Sequence, residues 1–394
     1  MMHSAVVPVR FQVLDGWRGM CALMVALFHL DVATVLTQSN LIRHAYLFVD
    51  FFFVLSGFVI THAYARKLDS AEDAGRFIIR RLGRVWPLHL AMLAAFVALE
   101  LVKLGATTFL SLHAGQPAFH PAGETSLGHL PANALLLHAL GLHDRLTWNA
   151  PSWSISAEFW TYAVFAVICV ALPRTRTIAI GVAGLAGMAA VLAWSQRGLD
   201  ATYDLGFARA LAGFSLGHLV YVLRHSLSAI APRAEAYLSL LEWPAIAAAI
   251  VFVSVAGGTR WEFAAPLLFA LVVLVFSYEA GTASSLVRTT PFLRLGLWSY
   301  SIYMVHYLIS HALDLGISVL ERALKQPIWH HVTMNGEALR IAEFGSPLIN
   351  AVVLIGYVGG VVLAASMTYR FIEQPGRRLF ARIADRLSGC NAVA

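Results

Sequence analysis

Trp17-Arg18-Gly19-Met20-Cys21-Ala22-Leu23-Met24-Val25-Ala26-Leu27-Phe28-His29-Leu30 is an apolar run that holds one arginine and one histidine. With its flanks it predicts a span over 17–37, about the twenty residues that a helix needs to cross the hydrocarbon of a bilayer. Arg18 and His29 are eleven residues apart, close to three helical turns, so they share one face of that helix at a separation of roughly 16 Å. An ionisable group inside a membrane helix costs free energy and is a functional candidate by default. The run therefore sets both the solvent of the fold and the first residues of a site.

The rest of the chain agrees. Of 394 residues 59% are hydrophobic and 13% charged, against about 25% charge in soluble domains. Lipid admits only helices or closed barrels, and continuous apolar runs exclude the ten-residue alternation of a barrel. We read an all-α polytopic fold of about ten transmembrane helices in one integral-membrane domain, 1–394. Beyond 17–37 the spans are 46–64, 85–104, 153–172, 177–195, 205–223, 243–257, 264–280, 295–314 and 348–369. A short run, Asn133 to Leu142, is too brief to cross and is expected at the interface or as a re-entrant segment.

The net charge of +6 would suggest nucleic acid in a soluble protein, but here it follows from Lys and Arg in cytoplasmic loops. With the N-terminus inside, Arg10, Arg66, Lys67, Arg76 to Arg84, Arg174, Arg176, Arg224, Arg233, Arg288, Arg294 and Arg370 to Arg386 gather on one face. The other face keeps Arg43, Lys103, Arg145, Arg197, Arg260, Arg322, Lys325 and Arg340. Both termini are thus expected in the cytoplasm, and the first helix is an uncleaved anchor. Cys21, Cys169 and Cys390 give neither a disulfide framework nor a metal cluster. Two outward loops are long, 105–150 and 315–347. The first carries His113, His120, His129, His138 and His143 without metal-site spacing, so solvated histidines are expected.

A guanidinium at the cytoplasmic mouth suits a phosphate-bearing ligand, and a neutral imidazole deeper in suits a general base. The residues alone leave open a packed His29 and an Arg18 that only anchors the helix. Asp50 and Glu158 fall at depths from which either carboxylate reaches the level of His29 and orients it, as in a catalytic triad. For Asp50, capping of its own helix competes with that role. Arg80, Arg81 and Arg84, ahead of Trp86-Pro87, fit phosphates or anionic lipid headgroups, and the sequence alone favours lipid.

These residues lie in blocks that resemble the acyltransferase 3 family of membrane acyltransferases. Leu14-Asp15-Gly16-Trp17-Arg18-Gly19 leading to His29 is similar to its opening signature, with Trp17 where the family usually has an aliphatic residue. Asp50 to Phe58 and the Arg81/Arg84-Trp86-Pro87 stretch follow in family order. Ser152-Trp153-Ser154-Ile155-Ser156-Ala157-Glu158, Tyr300-Ser301-Ile302-Tyr303-Met304-Val305-His306 and Phe371 to Arg378 complete the resemblance. The seventh and eighth helices carry no such motif.

The resemblance implies an O-acyltransferase of the cell inner membrane. It implies an acyl-CoA donor, acetyl-CoA in the first instance, entering from the cytoplasm, and an acceptor on the outer side or at the membrane. It makes His29 the catalytic base, Arg18 essential, and Arg81 and Arg84 contacts to the donor phosphates. The substrate-binding expectation extends to Ser56, Trp153, Tyr162, Tyr303 and His306, with Ser56, Tyr162 and Tyr303 as alternative oxyanion donors. Trp148, Trp153 and Trp160 fit either a sugar-stacking surface or an interfacial aromatic belt. No bound cofactor and no metal is expected. Partners are acyl-CoA, a sugar-containing acceptor such as a surface polysaccharide, lipopolysaccharide or glycoside, and membrane lipid, with self-association left open and no nucleic acid. The competing class is a proton-coupled exporter of a saccharide or glycoside, with His29, Asp50 and Glu158 as its relay.

Overall fold

A computed structural model describes residues 11–65, 67–110, 117–230, 234–334 and 337–389. Arg10, Arg66, His113, Arg233 and Cys390 lie outside the described residues. The helices in chain order are α1 Gln12–Phe28, α2 Asn40–Arg43, α3 Phe48–Tyr64, α4 Ala71–Leu110 and α5 Leu130–Ala134. Next come α6 Trp153–Ala171, α7 Arg176–Trp194, α8 Gly206–Ile230, α9 Ala234–Leu240 and α10 Glu242–Ala256. The last five are α11 Ala265–Phe276, α12 Thr282–Val287, α13 Thr290–Leu324, α14 Pro347–Thr368 and α15 Gln374–Gly389. One antiparallel hairpin, β1 Trp329–Met334 and β2 Glu337–Ala342, pairs Trp329 with Ala342 and His331 with Arg340.

Among the described residues, seven helices are long and apolar enough to cross a membrane: α3, α4, α6, α7, α8, α13 and α14. The chain is a multi-pass, all-α membrane protein. The other three expected spans form the shorter helices α1, α10 and α11, of 17, 15 and 12 residues. Starts follow local chemistry, since α11, α13 and α14 each place a proline in the first turn, where its missing N–H leaves no bond unmade.

Several boundaries differ from the expected ones. α1 stops at Phe28 rather than continuing to 37, because the chain turns and Val32 bridges in parallel to Ala342 at the end of the hairpin. α4 begins at Ala71 and has 40 residues, about 60 Å of helix against a hydrocarbon core of about 30 Å. Its charged first turns stay helical outside the apolar stretch. The segment 315–347 is not a loop, since α13 runs on to Leu324 and the hairpin fills most of the rest. Asn133 to Leu142 forms the end of a five-residue helix followed by turns.

Two close crossings set the frame of the site. α1 lies on α13 where Gly19 meets Gly296: a Cβ on Gly19 would come 2.4 Å from the Leu295 carbonyl carbon, and one on Gly296 would come 2.4 Å from the Asp15 oxygen. Without a hydrophobic drive between helices in lipid, such backbone contact supplies the packing. α3 lies as tightly on α8 at Gly57 and Gly217. α15 continues α14 through a π-helical turn at Tyr369–Glu373 and packs back on α4, with Gly376 against Pro87 and Arg80 paired with Asp385 at 2.5 Å.

Candidate active site

The α1–α13 crossing fixes both ends of the face read from the first helix. Arg18 Nε donates to Ser299 Oγ at 2.8 Å, and Nη2 donates to the Gly296 carbonyl at 3.3 Å and pairs with Asp15 at 2.9 Å. At the far end, His29 caps α1. Its Nδ1 lies 2.9 Å from the Val25 carbonyl and 3.3 Å from Nε2 of His306. His306 is fully buried, and its own Nδ1 lies 3.3 Å from the Ile302 carbonyl. A carbonyl can only accept, so both rings carry their proton on Nδ1. His29 Nε2 keeps its lone pair and has no hydrogen-bond partner among the described residues. Ser310 donates to the His29 carbonyl at 2.6 Å, and Tyr357 of α14 donates to the Ala26 carbonyl at 3.0 Å, which pins the end of α1.

A cavity opens between α1, α3, α4, α6 and α13. Arg18, Arg81, Arg84, Ser56, Glu158, Tyr162 and Tyr303 all line it, although they come from five helices. Arg84 forms an ion pair with buried Glu373, which also accepts from Ser301 at 2.8 Å, and its guanidinium lies over the Tyr300 ring at 5.5 Å. Arg81 has no carboxylate partner among the described residues; it donates to Tyr64 at 3.2 Å and lies over that ring at 5.2 Å. Ser56 and Tyr162 hydroxyls meet at 2.8 Å, and Tyr162 donates to Glu158 at 2.5 Å. The wall can therefore hold an anion beside two or three guanidiniums and a polar arm beside Glu158.

His29, His306, Asp50 and Trp153 do not line this cavity. The two histidines stand one step behind it: Tyr303 in the wall is 5.7 Å from the His306 ring, which is 5.0 Å from His29. Neither expected carboxylate orients His29. Asp50 is fully buried and forms a two-point pair with Arg209 of α8, at 3.0 and 2.7 Å. Glu158 is held by Tyr162 on the cavity side. The Val25 carbonyl and His306 take the orienting position, because α1 ends where its last carbonyls can turn toward the ring. Trp153 is 5% exposed and packs under Arg209 at 5.4 Å and against Phe53, so it offers no open face for a sugar. Trp148 is likewise interior rather than part of a belt.

Sequence reasoning missed Arg209, Glu373 and Tyr307. Arg209 was a visible signal, a cation four residues into an apolar span. Tyr307 directly follows the late Tyr-Ser block, and its ring meets His29 at 5.2 Å. The histidines of 105–150 divide. His138 is buried, stacks on His89 at 5.6 Å and bonds Ser152 at 3.1 Å, so this one is a packed residue rather than a solvated one. Among the described residues no group of three or more His, Cys, Asp or Glu is placed to hold a metal ion.

The sequence model of the family described as "Acyltransferase domain" matches residues 11–369. A protein of Rhizobium radiobacter named as protein 2 in the picA locus is 37% identical over 40% of this chain and 82% of its own length. BcsY of Komagataeibacter xylinus, named as a membrane-bound transacylase, is 27% identical over 75% of this chain and 71% of its own. The acyltransferase MdmB of Streptomyces mycarofaciens is 22% identical over 95% of this chain and 93% of its own. No solved structure matches the chain.

Proposed function

Since the chain belongs to this acyltransferase family and is an acyltransferase of the membrane, we propose that it moves an acetyl group from cytoplasmic acetyl-CoA to a hydroxyl of a sugar-containing acceptor. The acceptor is a surface polysaccharide, lipopolysaccharide or glycoside that meets the enzyme on the outer side of the cell inner membrane. The whole chain acts as one unit, with ten crossings made by the seven long helices together with α1, α10 and α11, and with both termini in the cytoplasm.

One observation carries this reading: Arg18, Arg81, Arg84 and Tyr303 line one cavity, and His306 and His29 follow Tyr303 in ring contact. The donor phosphates rest against the arginines, which present fixed forks to phosphate oxygens. The pantetheine arm runs along the cavity and carries the thioester past Tyr303 toward His29. His29 Nε2 takes the proton from the acceptor hydroxyl as its oxygen attacks the thioester carbonyl. The tetrahedral intermediate then collapses, the carbon–sulfur bond breaks, and the imidazolium returns its proton to the thiolate. Acetyl ester and free CoA leave on opposite faces. Tyr307, whose hydroxyl has no hydrogen-bond partner among the described residues, stands beside His29 as a donor to the oxyanion.

The test is deletion of the protein in its host, restored with wild type or His29→Ala at matched membrane abundance, with surface glycans and secreted glycosides compared by mass spectrometry. The expected result is an acetyl mass increment that vanishes on deletion and returns only with wild type. Accumulation of an unmodified product inside the cells, with no acyl difference, would instead support export.

A further inference from the structure

Glu158 is left without the task that sequence alone suggested for it, and its surroundings point to another. It is the one carboxylate among the described residues that line the cavity, which otherwise present three guanidiniums, hydroxyls and apolar groups. Its Oε1 accepts from Tyr162 at 2.5 Å, and Tyr162 meets Ser56 at 2.8 Å, so the side chain is held in one orientation. Its Oε2 has no partner among the described residues. A carboxylate among cations would repel phosphate, so the part of a ligand that passes Glu158 must bring N–H or O–H donors instead. Apolar neighbours on the same wall, Phe52, Val59 and Ile155, fit a thin chain of methylenes between such donors.

Resting on the donor reading above, we propose that Glu158 accepts a hydrogen bond from an amide N–H of a phosphopantetheine arm. It thereby makes the cavity selective for donors that carry that arm over simple acyl phosphates. Coenzyme A and acyl carrier proteins share the arm. The arginines read phosphate at one end and Glu158 reads the amide further in, so charge alone does not suffice for a donor. The Tyr162 and Ser56 hydroxyls are positioning groups, since they aim the carboxylate.

The experiment measures binding to the full-length chain in lipid nanodiscs, with coenzyme A, 4′-phosphopantetheine and 3′,5′-ADP as separate probes. Glu158→Ala is expected to weaken both arm-bearing probes about tenfold, the scale of one charge-assisted hydrogen bond. Glu158→Gln, which keeps a neutral acceptor, should weaken them less. Neither variant should change the 3′,5′-ADP affinity, which also reports that the cavity is intact. Unchanged coenzyme A binding in Glu158→Ala overturns the assignment, and so does equal weakening of all three probes. Wild-type binding of 4′-phosphopantetheine with the same Glu158 response, but none of 3′,5′-ADP, sustains the assignment while it replaces coenzyme A by a carrier protein as donor. Failure of wild type to bind any probe overturns both readings.

Discussion

His29 and His306 meet across the α1–α13 crossing, Nδ1 to Nε2 at 3.3 Å, and each ring also lies against a carbonyl one turn back in its own helix. His306 is fully buried and all its ring contacts are internal, whereas His29 is partly buried and its Nε2 has no hydrogen-bond partner among the described residues. The pair is therefore unequal, and in the proposed reaction His29 is the proton acceptor and His306 the ring that holds it in place. His29→Ala is expected to lower kcat by about 10² to 10⁴-fold, the range for loss of a general base. Coenzyme A affinity should stay the same, because His29 is not part of the cavity wall. His306→Ala should cost less, on the order of tenfold, because the Val25 carbonyl still fixes the tautomer. Turnover and equilibrium binding on the same membranes decide it; an equal loss in both variants would contradict the division of roles.

Arg18 is engaged at three points, Ser299, the Gly296 carbonyl and Asp15, and it also lines the cavity. A lysine carries the charge but has no planar fork and cannot make these contacts together. Arg18→Lys should therefore raise the KM for acetyl-CoA by about tenfold, near the effect of one charged hydrogen bond. Full activity in Arg18→Lys would reduce Arg18 to a point charge at the mouth. Steady-state kinetics at matched protein level give the answer.

The sequence made the cavity wall legible and the catalytic partners illegible, for physical reasons. Arg18, Arg81, Arg84, Ser56, Glu158, Tyr162 and Tyr303 all converge, because ionisable and hydroxyl groups in apolar helices must face the interior. Depth along a helix is readable from residue number, and depth led to Asp50 and Glu158 as partners of His29. Azimuth is not readable in this way. Asp50 faces α8 and Glu158 faces the cavity, and only helix packing, such as that of α3 on α8 at Gly57 and Gly217, decides which neighbour a side chain sees. The hairpin at 329–342 was hidden because its alternation is short and lies next to a longer helix. α15 was hidden because its mixed charged and apolar residues read as a cytoplasmic tail. The first and eighth spans come out shorter than expected, as the 17 residues of α1 and the 12 of α11, since apolar composition says nothing of where a neighbouring segment pulls the chain out of its helix.

Asp50 and Arg209, 0% and 1% exposed, form a buried ion pair between α3 and α8. The Tyr46 carbonyl accepts from Arg209 at 3.1 Å, and the Trp153 ring covers the guanidinium. Removing one partner strands the other charge, which typically costs about 3–5 kcal/mol. Asp50→Leu and Arg209→Leu are each expected to fail mainly in folded yield and thermal stability in detergent. The double variant should recover much of the loss, as replacement of both charges by apolar groups commonly does. What folded protein remains should keep its kcat. A fall in kcat in a stable double variant would return Asp50 to the catalytic machinery.

Gly57 and Gly217 face each other's helix at the crossing that carries this pair. A Cβ on Gly57 would come 1.9 Å from the Phe214 carbonyl oxygen, and one on Gly217 would come 1.9 Å from that of Val54. Those atoms are backbone and cannot swing aside, so α3 and α8 must separate to admit even a methyl group. Gly217→Ala is expected to cost about 1–3 kcal/mol or more by overpacking. The separation would also draw Ser56, on α3, away from Tyr162 and loosen the hydroxyl chain that aims Glu158. A second consequence is therefore expected, weaker coenzyme A binding in the fraction that folds, with little change for 3′,5′-ADP. Gly105→Ala, where no atom lies within 4 Å of the new Cβ, serves as the control and should change neither quantity. Thermal melts and probe binding on the two variants test the link between the packing of two helices and the cavity. A destabilised Gly217→Ala with normal coenzyme A affinity would break that link and leave the crossing with a structural part alone.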